Sequence, residues 1–472
     1  IDPHTGPGCT PVLVGLESLR AVREAAELFN LHAEDIQDIF ADNALRLFGL
    51  SDEAGRNQAL YRHAKTRIPG GVQLLSKRPE LLAPEVWPPY FREARGCETW
   101  DLDGRHYYDM ATNAVGACLL GYADPEVNAA VQRRVALGSI ASLNVPDEVA
   151  LADLLCELHP WAEQVRLGRA GGEACALAVR IARATTDRSV VAIGGYHGWH
   201  DWYLAANLGA DDALRGHLLP GLHPLGVPRE LRGTALTFTY GHRAEFQAVL
   251  DAAGDRLAAV IMEPCRYQDP EPGWLEYVRD GAHRAGALLI FDEITIGWRL
   301  HHGGAHLRFG VHPDIAVFGK ALGNGFPMAA VIGTAAAMEG AHRSFISSSY
   351  WTEGIGPAAA LATVRKLARL KAAAHVAAIG AEVTRLWREH GARHGLPIVS
   401  DDGYPCLAHF RFDHPQAEAL RTLYTQRMLA HGFLAGTAIY ATLGHTPEIV
   451  ARYGEAIDAV FAEIADALAA DA

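Results

Sequence analysis

The chain has 472 residues, 49% of them hydrophobic and 21% charged, with a formal net charge of −13. That length allows two or three domains, and the composition is that of a globular enzyme rather than a fibrous or disordered chain. The acidic balance argues against a non-specific nucleic-acid binder, which needs a basic face, and no apolar run reaches the length of a membrane span.

The opening IDPHTGPGC has neither the basic stretch nor the apolar stretch of a signal peptide, and no initiator methionine. It predicts a processed product or a piece of a longer chain. Cysteines stand at positions 9, 97, 118, 156, 175, 265 and 406, an odd number with no CxxC pair. Cys118 and Cys156 lie in apolar runs, so the pattern predicts buried small hydrophobes in a reducing, cytoplasmic setting.

Residues 15–50 carry apolar residues at helical spacing and predict a helical N-terminal extension over 1–56. Within it, IFADNALRLFGL is similar to the closing helix of metal-dependent amidohydrolases of the TIM-barrel type. That resemblance implies the remnant of a fused hydrolase-like region, too short to hold a hydrolase site. Next, TWDLDGRHYYDM alternates like a hairpin with Asp-Gly at its turn. Strands and helices then alternate. A long helix runs from Gly172 to about Thr186, followed by the strands SVVAIGG and AAVIMEP, a helix around Gly273–Ala285 and the strand ALLIFDE. This rhythm predicts an α/β fold with a parallel sheet covered on both faces and ligands beyond the carboxyl ends of its strands. After about residue 360 helices dominate, and VSDDGYPCLAHFRF with GFLAGTAIYATLG predicts a second, smaller sheet.

Four segments carry chemistry. In ALLIFDEITIGWR, Asp292 ends an apolar strand, where a charge must be paired. It could hold a protonated pyridine nitrogen, which keeps a pyridoxal ring an electron sink, or it could cap the next turn. In HPDIAVFGKALGNGF, Lys320 follows a second apolar strand. Burial there would lower its pKa and make the amine a nucleophile towards an aldehyde, unless it snorkels to the surface. Gly323 and Gly325 would let the backbone approach a bulky ligand. Gly171 and Gly172 precede a helix whose first N–H groups suit a phosphate, although such starts are also common without one. In GGYHGWHDWYLA, Tyr196 is placed to stack on a planar ring. The neighbouring His197, His200 and Asp201 do not have zinc-motif spacing, and no metal site is expected.

Together these segments resemble the class III aminotransferases, members of the type I (aspartate-aminotransferase) fold of pyridoxal 5′-phosphate (PLP) enzymes, with the glutamate-1-semialdehyde 2,1-aminomutases nearest. The likeness runs from about Ile68 to Phe461 through IPGGVQ, YYDMATNAVGACLLGYADPEV, GGEACALAVRIARATT, GYHGWHD, MEP, FDEITIGWR, FGKALGNGFPMAAVIG and TEGIGPAAALA. It implies a mainly parallel seven-stranded sheet in a large domain over 111–360. A smaller α/β domain would be built from 57–110 and 361–472.

The resemblance also implies roles. Lys320 forms the Schiff base and then moves the proton, and Asp292 pairs with the pyridine nitrogen. Gly171 and Gly172 cradle the phosphate where relatives have Gly-Thr, and Tyr196 covers the ring. Glu263 lies near the cofactor. Thr295 stands where many relatives carry a cofactor-binding glutamine, for which Gln268 could substitute. Thr352 reaches the phosphate from a second subunit, which implies a homodimer with shared active sites.

The aminomutase pattern fails in the substrate pocket. Val115 stands where aminomutases have tryptophan, and Lys77 beside Arg78 where they have a carboxylate-binding arginine. The expected substrate is therefore not glutamate semialdehyde. With Lys320 as one base and no clear second, the expected enzyme is an aminotransferase acting on a small-molecule amino donor and a carbonyl acceptor, with an aminomutase or racemase as the alternative.

Overall fold

The computed structural model describes residues 55–209, 213–217, 222–400 and 403–470. The helical reading of 15–50, with its amidohydrolase-like helix, lies outside the described residues. The chain divides into two units, one running to Arg78 and including Pro88–Tyr90, the other holding Pro79–Trp87 and everything from Phe91 onward.

In the first unit, helix α1 (Gly55–Lys65) buries Tyr61, and the Lys65 ammonium sits 4.5 Å above that ring. Gly70 and Gly71 both have φ of +78°. A Cβ on Gly71 would lie 2.6 Å from the Tyr61 ring, so this turn needs glycine for its dihedral and for its space.

The second unit opens with β1 (Phe91–Arg95), β2 (Glu98–Asp101) and β3 (His106–Asp109), an antiparallel meander. The expected hairpin is there. Asp101 Oδ1 accepts from the N–H groups of Asp103 and Arg105, and Gly104 takes the left-handed φ of +77° that the turn requires. Helices α2 (Pro125–Ala136) and α3 (Pro146–Leu158) follow, each with proline in its first turn.

The main sheet is then laid down by β4 (Gln164–Gly168), α4 (Gly171–Thr186), β5 (Val190–Gly194), β6 (Ala235–Thr237), β7 (Leu257–Met262), α5 (Trp274–Arg284), β8 (Leu288–Asp292), β9 (Ile315–Phe318) and β10 (Ala329–Gly333). Its seven strands run in the order β4-β10-β9-β8-β7-β5-β6. Only β10 is reversed, antiparallel to both β4 and β9, while the remaining pairs are parallel. Strands β5, β7, β9 and β10 are buried at every position, as the unbroken apolar runs predict for a sheet covered on both faces. Alternation sends Val191, Ile193, Ile261 and Ile290 to the α4 side, and Val190, Ala192, Met262, Leu289 and Phe291 to the α5 side.

Beyond the sheet come α6 (Ile355–Arg369), α7 (Ala372–Arg393), β11 (Ile398–Ser400), β12 (Phe410–Phe412), α8 (Ala417–Ala430), β13 (Phe433–Leu434) and α9 (Pro447–Ala470). Here the sequence expectation of one small sheet is corrected. β11 and β12 pair with each other, Ile398 opposite Phe412, whereas β13 joins β3 in parallel, Phe433 opposite Tyr108. One isolated bridge, His409 to Ala438, links the two segments. The free edge of β3 decides this outcome. Tyr108 N–H donates to Gly432 O at 2.9 Å, and the Phe433 ring packs against Tyr108 and Tyr453.

Candidate active site

Parallel pairing aligns the carboxyl ends of β5, β7, β8 and β9, with Gly194 opposite Met262, Met262 opposite Phe291 and Asp292 opposite Val317. The residues just beyond those ends, Tyr196, Glu263, Asp292 and Lys320, therefore share one edge of the sheet.

Asp292 is 4% exposed. Its Oδ2 lies 2.7 Å from His197 Nδ1 and accepts from Cys175 Sγ at 3.4 Å, while Oδ1 accepts from Ile294 N–H at 3.0 Å. Ligand atoms of these three side chains cluster within 4.8 Å, a spacing a metal could also use. The contacts themselves are hydrogen bonds to a single carboxylate, and burial beside Asp292 pushes the Cys175 thiol well up, which keeps it protonated and a donor. His200 and Asp201 are not part of this cluster.

Lys320 has a left-handed φ of 44°, rare for a side-chain-bearing residue and typical of functional sites under backbone strain. Its Nζ donates to Thr295 Oγ1 at 3.0 Å. The residue is half-buried and its amine largely enclosed, and its pKa falls to about 8. Burial is the main cause, followed by the positive charge of Arg299; Asp292 and Glu263 pull the other way.

Glu263 is buried, and burial raises its pKa against the opposing pull of Arg266. Its Oε2 receives Arg266 Nη1 at 2.5 Å, and a Cβ placed on Gly195 would meet the same oxygen at 3.2 Å. Tyr196 is half-buried, its ring 5.9 Å from that of Tyr203.

Helix α4 starts at Gly171 with Ala170 as its N-cap. Glu173 Oε2 reaches back to the N–H groups of Arg169 (2.7 Å) and Ala170 (3.3 Å), which leaves the first-turn amides of Gly171 and Gly172 pointing out of the helix. The space before them is tight. A Cβ on Gly172 would meet the His200 ring at 3.2 Å, and one on Gly198 would meet Gly172 Cα at 2.9 Å. Side-chain-free backbone, outward N–H groups and the positive end of a helix suit a phosphate.

Thr352 lies in the turn Ser349–Thr352, its hydroxyl donating to Ser349 O. That turn is tied to the start of α4 through Trp351 Nε1 on Glu173 and Arg169 on the carbonyls of Trp351 and Glu353. Val115 belongs to a left-handed run, Asn113 (φ 45°), Ala114 (55°), Val115 (55°) and Gly116 (80°). Arg299 Nη2 holds this run by donating to Gly116 O at 2.6 Å. Gln268 is exposed. Lys77 and Arg78 belong to the first unit: Lys77 is exposed, and the Arg78 guanidinium lies over Gly70, where a Cβ would come within 2.1 Å of it.

A buried carboxylate, a lysine with a lowered pKa, an aromatic ring and a phosphate-ready helix start meet along one sheet edge, and this set fits PLP. The family model for Aminotransferase class-III matches residues 84–464. The chain belongs to the class III aminotransferase family. It is a PLP-dependent enzyme of the type I fold. A 3-aminobutyryl-CoA aminotransferase from Cloacimonas acidaminovorans (strain Evry) is 33% identical over 426 residues, covering 87% of this chain and 97% of the relative. A glutamate-1-semialdehyde 2,1-aminomutase from Desulfosudis oleivorans is 30% identical, covering 87% and 99%. Among solved structures, an omega-transaminase from Sphaerobacter thermophilus superposes with a TM-score of 0.75 at 26% identity, covering 88% and 99%.

Four residues that the structure brings into contact with these candidates were not singled out for them from the sequence. His197 was weighed only as a metal ligand, and Cys175 only as a helix residue. Arg266, three positions after Glu263 in MEPCR, offered an i,i+3 charge pair as a signal. Arg299 gave none, because beyond the nearby Thr295 carbonyl its other two acceptors, on Gly116 and Ala441, come from distant parts of the chain.

Proposed function

We propose that this enzyme is an aminotransferase that moves an amino group from an amine or amino-acid donor to a carbonyl acceptor, with Lys320 as the amine that bonds the cofactor and carries the proton. The observation behind this reading is the lowered pKa of Lys320, whose Nζ rests on Thr295 across the strand-end edge from the engaged carboxylate of Asp292. Bound PLP supplies an electron sink for the carbanion formed at the donor carbon. Asp292 would hold the ring nitrogen, with His197 and Cys175 fixing its orientation. The Gly171–Gly172 amides would hold the phosphate and Tyr196 the ring face. Thr295 would steady the Lys320 amine between proton transfers, and Glu263 would add negative charge nearby.

Thr352 would reach the phosphate of a second copy, making the enzyme a homodimer with shared sites. An exposed apolar surface supports this: Leu137 and Leu143 are 72% and 81% exposed, and Gly354 N–H binds Ser139 O, which ties that loop to the Thr352 turn. We place the enzyme in the cytoplasm, supported by six unbridged cysteines among the described residues. No helix of the described residues is long and apolar enough to cross a membrane.

The purified protein should show an absorbance band near the visible edge that borohydride removes, and Lys320→Ala should lack it. An amino donor should then convert the cofactor to its pyridoxamine form with release of a keto product. The 30% identity to an aminomutase over nearly all of that relative favours a second reading, isomerisation within one substrate. Conversion of a single amino-carbonyl compound without release of a keto product would select it. Charge reversal of Lys77 and of Arg78 tests both as substrate-anion contacts, through a raised KM.

A further inference from the structure

Helix α4 carries both ends of the proposed cofactor site. Cys175 donates to Asp292 at 3.4 Å, and Gly172 stands three residues earlier, about 4.5 Å back along the helix axis. The lysine segment is equally near: a Cβ on Gly319, the residue before Lys320, would lie 3.9 Å from Gly171 Cα. Yet this helix start has no side-chain donor of its own. Residues 170–174 read Ala-Gly-Gly-Glu-Ala, and the Glu173 carboxylate accepts from the N–H groups of Arg169 and Ala170 and from Trp351 Nε1.

The loop after β5 fills that gap. Gly198, with φ of +107°, packs on the helix start so closely that a Cβ there would lie 2.9 Å from Gly172 Cα. Two residues on, the His200 imidazole occupies the space that a side chain on Gly172 would take, since a Cβ on Gly172 would meet both Cε1 and Nδ1 of the ring at 3.2 Å. His200 is fixed at the ring and at the backbone. Trp199 stacks on the imidazole with centroids 4.5 Å and planes 25° apart, and the His200 carbonyl accepts from the N–H groups of Tyr203 and Leu204 at 2.9 and 3.1 Å. Its Nδ1 is buried, with no hydrogen-bond partner among the described residues. A buried polar atom left unpaired costs about 1–3 kcal/mol unless a ligand completes it. Burial also lowers the His200 pKa against the opposing pull of Glu173 and Asp201, which favours the neutral ring with a single N–H.

We infer that His200 is a phosphate-binding residue of the cofactor site, its Nδ1–H donating to a phosphate oxygen held over the Gly171 and Gly172 amides. This rests on the proposed place of the phosphate at that helix start and adds a side-chain donor to it. It accounts for the bare backbone at position 172, because the imidazole stands where a side chain would be. The helix supplies the amides and the loop supplies the ring nitrogen, so the phosphate would join two segments that meet at Gly172 and Gly198.

The test begins with a crystal structure of the PLP-loaded parent enzyme, in which His200 Nδ1 should lie within about 3.2 Å of a phosphate oxygen. A phosphate on the Gly171 and Gly172 amides with Nδ1 out of reach would overturn the inference. A phosphate bound elsewhere would instead defeat the placement on which it rests, and the two failures are therefore separable. In solution the apoproteins are titrated by absorbance with PLP and with pyridoxal, which lacks the phosphate. His200→Leu keeps similar bulk and removes the donor. It should weaken PLP binding about tenfold or more while leaving pyridoxal binding within about twofold. His200→Asn, whose amide nitrogen can fall near the place of Nδ1, should restore part of the PLP affinity. A PLP-to-pyridoxal preference that stays the same in His200→Leu, whether both ligands bind as before or both weaken alike, would reduce His200 to a structural plug and sink the assignment.

Discussion

Replacing Lys320 with methionine should make the cofactor-free protein more stable at neutral pH and less stable at high pH. The lysine pKa is about 8 in the folded chain against 10.5 for an ordinary lysine. Below pH 8 the folded state must keep a proton on an enclosed amine that the unfolded chain holds at no cost. The lowered value therefore penalises folding by up to about 3 kcal/mol at pH 7, shrinking as pH rises from 8 to 10.5 and vanishing above that. Methionine keeps an unbranched side chain of similar length without the charge. It also removes the hydrogen bond from Nζ to Thr295 Oγ1, at a cost of about 1 kcal/mol. The variant should thus gain roughly 2 kcal/mol at pH 7 and lose roughly 1 kcal/mol at pH 11, with a crossing near pH 10. Equilibrium urea denaturation of the two apoproteins across this range reads the difference directly. A Lys320→Met protein less stable than its parent at pH 7, or a difference that does not move with pH, would refute the assignment of a depressed pKa to this amine.

The same shift predicts how the apoprotein captures PLP. With a pKa of about 8, on the order of 10% of Lys320 amines are neutral at pH 7, and the capture rate followed by absorbance should climb with pH and level off near 8; a rate still climbing beyond pH 10 would contradict it. Asp292→Asn keeps the shape that His197 and Cys175 contact but removes the charge, and should slow the single-turnover reaction with an amino donor by about 100-fold or more; a change of threefold or less would exclude Asp292 as the ring-nitrogen partner. Gly380→Ala tests the packing of α7, because its Cβ would lie 1.7 Å from the Pro405 carbonyl oxygen. It should destabilise the protein by at least about 3 kcal/mol in urea, and a wild-type midpoint would show that the α7 contact is looser than described.

Much of this site could be read from the amino acids alone because it is written in local patterns. An apolar run that stops at Asp292 and another that stops just before Lys320 must be buried strands, since a continuous run of Ile, Leu, Val and Phe has no solvent face. Parallel strands place their carboxyl ends on one edge, so the order of the motifs was enough to bring Asp292, Lys320, Tyr196 and Glu263 together. The Gly-Gly start of α4 and the Asp-Gly hairpin turn were legible for the same reason, each being a backbone requirement satisfied within a few residues.

The tertiary structure decided what depends on neighbours far apart in the chain. Arg299 is invisible as a site residue in GWRL, because it becomes one only by meeting Gly116 and Ala441, 183 and 142 residues away. Cys175 looks like any small residue of an apolar helix face until packing brings it to Asp292, 117 residues on. The partner of β13 is not legible in the sequence, because a strand's alternation specifies which face it buries and says nothing about which free edge it pairs with; the open edge of β3 settled that. Arg266 belongs to both levels. Its i,i+3 spacing from Glu263 is local, but which strand ends that pair stands beside follows from the register of β7 against β8 and of β8 against β9, which only the folded sheet defines. Hydrophobic periodicity is carried by each segment on its own, whereas a charge acquires its role from whatever the fold places within a few ångströms of it.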